Sequence, residues 1–251
     1  MINPKDIDVV ILCGGLGTRL RKIINDRPKP MAEINKRPFL DVLIDYVSSY
    51  GFTRFILCTG YKGDVIRKHY ESRNLPLTFL FSEERESLGT AGAIKNAESH
   101  IKNHVFLAMN GDSFCNINIR KFIYFHILKN AFASIALVLK ELSTDCGTVK
   151  LNDTSRITGF HEKIEPMANS FVNAGMYLFN KEVLSLIPAN RSYSLEYDLF
   201  PAIISIKNVY GFNTNQQLID IGTPEKYELA KKIFDTSTQS SVMSLEPCIA
   251  S

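Results

Sequence analysis

Long apolar runs are missing from this 251-residue chain: none approaches the ~18 residues that a membrane-crossing helix needs. The opening MINPKDIDVV lacks a basic leader and a long apolar core, so no signal peptide is expected and the protein is expected to be cytoplasmic. A large excess of one sign of charge is missing as well. The formal net charge is +3 and no basic run stands out, which argues against nucleic acid as a partner. A phosphorylated small molecule needs only a few local cations and stays open. The five cysteines (13, 58, 115, 146, 248) are scattered without a CxxC pair and read as buried, reduced thiols. What remains is 45% apolar residues and a mean hydropathy near zero, an ordinary globular chain.

The first half alternates strand and helix patterns. DVVILC (8–13), TRFILCTG, LTFLFSE and HVFLAMNGD read as strands, the first a continuous apolar run buried on both faces. Leu40, Leu43, Ile44 and Val47 have helical spacing, and GDVIRKHY and GTAGAIKNAESHI also read as helices. Such repetition implies right-handed crossovers and a mainly parallel sheet. Beyond residue 130, FASIALVLKEL, GTVKLND, ITGFHEK and FVNAGMYLFN look more antiparallel, and SLEYDLFPAIIS reads as a helix kinked or restarted at Pro201. LIDIGTPEKYELAKKIF predicts a strand and then a helix, with Thr223 as N-cap and Pro224 at the first helical position. One domain over 1–235 is expected, with a loosely ordered polar tail at 236–251.

The stretch ILCGGLGTRLRKIINDRPKPM (11–31) carries the first chemistry. A strand followed by glycines and a helix-like stretch places backbone N–H groups at the carboxyl edge of the sheet. A dinucleotide fingerprint would have a third glycine where Leu20 stands, and an acid closing the second strand, which TRFILCTG lacks. A Walker A loop is absent too. There remain a glycine loop, Arg19, and Lys29 clamped between Pro28 and Pro30, which reads as anion binding or as a structural turn.

GGLGTRL followed by PKPM resembles the signature of the sugar-1-phosphate nucleotidyltransferases, which make NDP-sugars from a nucleoside triphosphate and a sugar 1-phosphate. The resemblance continues in order through LGTAGAI (88–94), NGD (110–112), GFHEK (159–163), VNAGMYLF (172–179), SLEYDLFP (194–201) and DIGTPEKY (220–227). Within the family the chain looks most like the guanylyltransferases of D-glycero-α-D-manno-heptose 1-phosphate. Mannose-1-phosphate guanylyltransferases and MurNAc-1-phosphate uridylyltransferases come next. The resemblance implies an α/β, Rossmann-like three-layer sandwich with a mixed, mainly parallel central sheet and a smaller sugar-binding β elaboration. The nucleotide-binding part would span about 1–130 and the sugar-binding part about 131–220.

The same resemblance assigns roles. Arg19 and Lys29 would neutralise the triphosphate and the leaving pyrophosphate, and Asp112 and Asp220 would share a Mg²⁺ ion. Leu12, Gly14, Gly15, Gly17, Thr18, Gly89 and Thr90 would line the nucleotide. Lys163 would bind the sugar phosphate as part of the catalytic set, and Asn110, Gly147, Glu162, Asn173 and Glu196 would contact the sugar phosphate. The family often has an aromatic residue before the glycine at 147, where this chain has Cys146.

A sugar phosphate is already mostly dianionic at neutral pH, so its oxygen can attack the α-phosphorus without a histidine base. Catalysis then reduces to aligning two anions and screening their repulsion. The base reader is expected in FSEERES (81–87), with Glu83 first and Glu84 and Glu86 as alternatives. A carboxylate accepts from guanine's adjacent N1–H and N2–H₂ donors, which favours GTP. Substrates are therefore expected to be GTP and a sugar 1-phosphate, with no membrane partner and a homo-oligomer left open. A silent sugar-nucleotide sensor is disfavoured because Arg19, Lys29, Asp112, Lys163 and Asp220 are all present. A dinucleotide oxidoreductase is disfavoured by the broken fingerprint. No hexapeptide-repeat extension follows the final helix, so a second acyltransferase activity is not expected.

Overall fold

The computed structural model describes residues 3–143, 148–161 and 167–237. Through residue 128 strands and helices alternate. β1 (Asp8–Leu12) is followed by a small hairpin of β2 (Glu33–Ile34) and β3 (Arg37–Pro38), then α1 (Phe39–Ser49), β4 (Arg54–Thr59) and α2 (Gly63–Glu71). β5 (Thr78–Glu83), α3 (Gly89–Asn96), β6 (Val105–Asn110), β7 (Ser113–Cys115) and α4 (Ile119–Leu128) complete this half. The parallel strands lie in the order β5–β4–β1–β6. Val9, Val10, Phe55, Ile56, Phe106 and Leu107 are all fully buried, so these strands are covered on both faces, as their unbroken apolar runs require. Successive strands step away from β1 in one direction and then in the other. A crevice therefore opens at the carboxyl ends of β1 and β6, where open α/β sheets take their ligands.

The second half holds β8 (Ala133–Ser143), β9 (Thr148–Leu151), β10 (Ile157–His161), β11 (Met167–Asn180), α5 (Phe200–Ile203), β12 (Val209–Thr214), β13 (Leu218–Asp220) and α6 (Pro224–Ser237). The long β11 joins the halves. Met176–Asn180 pair antiparallel with β6, while β8 runs antiparallel along most of its length and β9 meets Phe171 and Val172. The register slips between Asn173 and Tyr177, around Gly175, whose φ of +72° a side chain would resist. The antiparallel expectation for this half holds for β8 through β11; β12 departs from it by pairing with β8 in parallel. The short β7–β13 pair is a separate antiparallel ladder that sets Asp220 opposite Ser113.

Two apolar layers sandwich the sheet. Val9, Ile11 and Leu57 face Phe39, Leu40, Leu43 and Val47 of α1, whereas Val10, Ile56 and Phe106 face Ala93 and Ile94 of α3 together with Phe179 and Phe200. Alternate residues of one strand thus feed opposite cores, which gives the mixed, mainly parallel three-layer architecture expected. SLEYDLFPAIIS is helical with a defect at the proline, as anticipated. Residues Leu195–Leu199 make a π-type turn, capped by Ser194, and α5 begins at the residue before Pro201. Thr223 Oγ1 accepts from Lys226 N at 3.3 Å at the start of α6. Cys13, Cys58 and Cys115 are free and buried, and burial pushes all three thiols up. Cys146 and Cys248 lie outside the described residues.

Candidate active site

A cleft of about 350 Å³ occupies the crevice. It is lined by Leu12, Gly14, Gly15, Gly17, Thr18 and Arg19 from the end of β1 onward, by Lys29 and Pro30, by Gly89 and Thr90 at the start of α3, and by Asn110 and Asp112 at and just after the end of β6. Eleven of the residues singled out in the sequence are therefore gathered on one cavity although they span a hundred positions.

The glycine loop is not followed by the helix-like stretch the sequence suggested. Only a single 3₁₀ turn, Leu20–Lys22, succeeds it, with Leu20 N and Arg21 N both donating to Gly17 O at 3.0 Å. No long helix dipole points at the cleft from this loop, so positive side chains carry the anion-directed field. Gly17 has φ +59°, and a methyl group on it would lie 3.1 Å from Lys29 Cβ. The left-handed backbone and the tight approach to Lys29 both favour glycine at this position. Lys29 itself opens a second 3₁₀ turn, Lys29–Met31, with extended Pro28 before it and Pro30 inside it. The two prolines restrict the backbone on either side of the lysine. Arg21 stacks 3.7 Å over the Tyr61 ring and ties the loop's far end to the segment after β4.

Charge of both signs converges at the cleft's edge. Lys29 Nζ donates to Asp112 Oδ2. Ile221 N donates to Asp112 O at 3.0 Å, so the residue after Asp220 is tied to the backbone of the other acid. Asp220 accepts from Gly222 N through Oδ1 and from Lys226 Nζ through Oδ2 at 2.7 Å. A methyl group on Gly222 would sit 3.3 Å from Lys29 Nζ and 3.5 Å from Arg19 Nη2. Arg19, Lys29, Asp112 and Asp220 are thus neighbours around Gly222. Lys226 lies inside DIGTPEKY without a role of its own there, and its partner lies six residues earlier across a turn.

On the opposite side, a chain of hydrogen bonds crosses from the second half to the first. Asn173 Nδ2 donates to Tyr177 Oη at 2.7 Å, and Tyr177 Oη reaches Glu196 Oε1 at 3.4 Å. Glu196 Oε2 accepts from Thr90 Oγ1 and from Ser194 Oγ, both at 2.8 Å. Thr90 Oγ1 in turn accepts from Leu195 N at 2.8 Å. Asn110 lies beside Gly175, where a methyl group would come within 2.7 Å of its Nδ2 and 2.8 Å of Ser113 Oγ. Among the described residues, Asn110 Oδ1 and Ser113 Oγ are buried without a partner. Gly147, Glu162 and Lys163 lie outside the described residues.

Of the acids considered as base readers, the structure places Glu84 on the cleft and not Glu83. Glu83 ends β5 with its side chain exposed and is not on the cleft. Glu84 lines the cleft half-buried, its Oε2 accepting from Leu88 N at 2.9 Å and its Oε1 lying over Gly14. Alternation along the strand end sends the two side chains opposite ways. Burial pushes the Glu84 carboxyl up, and the Leu88 N–H offsets part of that.

A family model described as nucleotidyl transferase matches residues 8–236, nearly the whole chain. The chain belongs to the nucleotidyl transferase family. Among relatives, D-glycero-alpha-D-manno-heptose 1-phosphate guanylyltransferase of Campylobacter jejuni is 35% identical over 223 residues, covering 88% of this chain and 97% of that one. Mannose-1-phosphate guanylyltransferase of Mycobacterium tuberculosis is 32% identical over 224 residues, covering 88% of this chain and 62% of that one. The crystal structure of HddC from Yersinia pseudotuberculosis complexed with GMP-PN superposes on this nucleotidyl transferase with a TM-score of 0.81 at 34% identity, covering 91% of this chain and 99% of that one. Among the described residues, no helix is long and apolar enough to cross a membrane.

Proposed function

We propose that the protein transfers GMP from GTP to a sugar 1-phosphate, foremost D-glycero-α-D-manno-heptose 1-phosphate, releasing pyrophosphate and forming an NDP-sugar for a bacterial surface polysaccharide. The observation that carries this is the convergence of Arg19, Lys29, Asp112 and Asp220 at one end of a switch-point cleft. The likeness to heptose 1-phosphate guanylyltransferases over almost their full length supports the base and the sugar. Mannose 1-phosphate is the second reading, supported by the mannose-1-phosphate guanylyltransferase likeness.

In this reading one phosphate oxygen of the sugar 1-phosphate attacks the α-phosphorus of GTP, and the bond from that phosphorus to the β-phosphate bridging oxygen breaks. The new P–O bond gives the GDP-sugar, and pyrophosphate leaves with the electron pair. Arg19 and Lys29 bind the triphosphate and offset the charge growing on the leaving group. Asn110, with its unpartnered Oδ1, and the Asn173 and Glu196 pair orient the sugar phosphate and its hydroxyls, with Gly147, Glu162 and Lys163 in the roles their motif implies. Glu84, in place of Glu83, accepts from guanine N1–H and N2–H₂. The donor set suits a divalent cation: Asp112 and Asp220 are two oxygen donors beside cations directed at phosphate, and Mg²⁺ is commonly held by one or two carboxylates plus phosphates and water. When bound, Mg²⁺ would screen the triphosphate and polarise the α-phosphate.

Pyrophosphate release across a matrix of GTP, UTP, dTTP and ATP with heptose, mannose and glucose 1-phosphates tests the reading. GTP with the heptose 1-phosphate is expected to turn over fastest. A folded protein that releases pyrophosphate from no pair overturns it.

A further inference from the structure

Asp220 does not present a bare carboxylate to the cleft. One oxygen is held by the Gly222 N–H, and the other accepts from Lys226 Nζ at 2.7 Å. The two side chains are 28% and 31% exposed, so solvent screens the pair only in part. Lys226 stands in the first turn of α6, and its backbone N–H is anchored on Thr223 Oγ1, so the ammonium is delivered from a fixed helix start. Asp112 is held in a comparable way by Lys29. The two lysines differ in setting. Lys29 lines the cleft between its prolines, whereas Lys226 reaches Asp220 from the helix and is not on the cleft wall.

We propose that Lys226 is a counter-cation that competes with the divalent cation for Asp220, so that the cation binds weakly alone and well only together with the triphosphate. This rests on the reading of Asp112 and Asp220 as the metal pair. Two physical effects act together. An ammonium hydrogen bond occupies the Oδ2 lone pair that a cation would use. A positive charge a few ångströms from a doubly charged ion also repels it, the more so where water is partly excluded. A nucleoside triphosphate reverses the balance, because its oxygens add ligands to the cation and its negative charge offsets the repulsion from the ammonium. Lys226 thereby keeps Asp220 oriented before substrate arrives and ties cation loading to nucleotide loading.

Mn²⁺ binding to the full chain without nucleotide, followed by the electron paramagnetic resonance of free Mn²⁺, tests this. Lys226→Met should bind Mn²⁺ about tenfold more tightly than the unchanged protein, and Lys226→Arg should stay as weak as the unchanged protein. With GTP present, the gap between Lys226→Met and the unchanged protein should narrow. Asp220→Asn in the Lys226→Met background should lose the gain. If Lys226→Met, folded by its thermal melt, gains no affinity while Asp220→Asn weakens Mn²⁺ binding, Lys226 is not a competitor and the metal pair stands. If Asp220→Asn leaves Mn²⁺ binding unaltered, the metal pair falls and the proposal with it. Lys226→Gln serves in place of Lys226→Met should the latter not fold, with the same outcomes deciding.

Discussion

The two ends of the proposed site are made in different ways. At the end proposed for the nucleotide, Arg19 and Lys29 follow β1, Asp112 follows β6 and Asp220 closes β13, so that two cations meet two acids around Gly222. At the end proposed for the sugar, Asn173 and Glu196 come from a bulged strand and a π-type turn, linked through the buried Tyr177 Oη and joined to the cleft by Thr90. One end is an arrangement of charge on the turns and the short ladder beyond the parallel strands; the other is a network of neutral and ionised hydrogen-bonding groups on irregular backbone. Loss of a charge should therefore act on the chemical step, and loss of a hydroxyl should act on substrate binding.

Removing a charge from the first end gives the largest expected effect. Asp112→Asn deletes the acid bound to Lys29 while keeping its shape. Its side chain is 38% exposed, so the fold should tolerate the change with little shift in thermal midpoint. The loss in kcat/KM should reach about 10²–10³, the range found when one preorganised electrostatic group is removed from a transition state. Pyrophosphate release under saturating and limiting GTP separates kcat from KM. A loss confined to KM would break the distinction between the two ends.

Glu84 sharpens the comparison by a smaller amount, since it is a half-buried acid on the cleft with no cation bonded to it among the described contacts. Glu84→Gln should cost GTP about tenfold in kcat/KM while leaving UTP less affected. The pH dependence follows from burial, which raises the folded carboxyl above its ordinary value. As pH falls through that raised value, Glu84 takes a proton and loses acceptor capacity, so kcat/KM for GTP should fall on the acid side earlier than for an ordinary carboxylate. Stability runs the other way. The folded state holds the proton more tightly than the unfolded one, so this group's contribution decreases as pH rises from the ordinary value through the raised one. Both slopes should vanish in Glu84→Gln, as read by pH–rate profiles and denaturant melts.

The same contrast explains what the sequence made legible. Arg19, Lys29 and Asp112 sit inside contiguous motifs, and the strands that precede them, β1 and β6, are unbroken apolar runs with one reading. Asp220 needed the order of motifs over the whole chain, because its neighbourhood with Asp112 is created by the β7–β13 ladder. The choice between Glu83 and Glu84 turned on where β5 ends, and a shift of one residue sends a side chain to the other face. Lys226 pairs across a turn, which periodicity does not register. Residues 119–128 mix aromatic and β-branched side chains, yet Ile119, Phe122, Ile123 and His126 stand at i, i+3, i+4 and i+7 and bury one face of α4, a helical period carried by the residues themselves. The parallel pairing of β12 with β8 depends on a crossover through residues 181–208, which local pattern cannot specify.

Thr90 offers the smallest test and the one that joins both ends. Its hydroxyl donates to Glu196 and accepts from Leu195 N, so one oxygen on the nucleotide wall positions the sugar-side acid. Thr90→Val keeps the volume and removes both bonds. Leu195 N–H loses its partner, while Glu196 Oε2 retains Ser194 Oγ at 2.8 Å, which limits the damage. A net cost of about 0.5–1.5 kcal/mol is expected, equivalent to a few-fold change. If the hydroxyl couples the two ends, KM should rise for GTP and for the sugar 1-phosphate together, with kcat nearly constant, and Thr90→Ser should restore both. A rise confined to GTP would place Thr90 wholly on the nucleotide side. A rise confined to the sugar would make it part of the sugar network alone, and in either case the two ends would work independently.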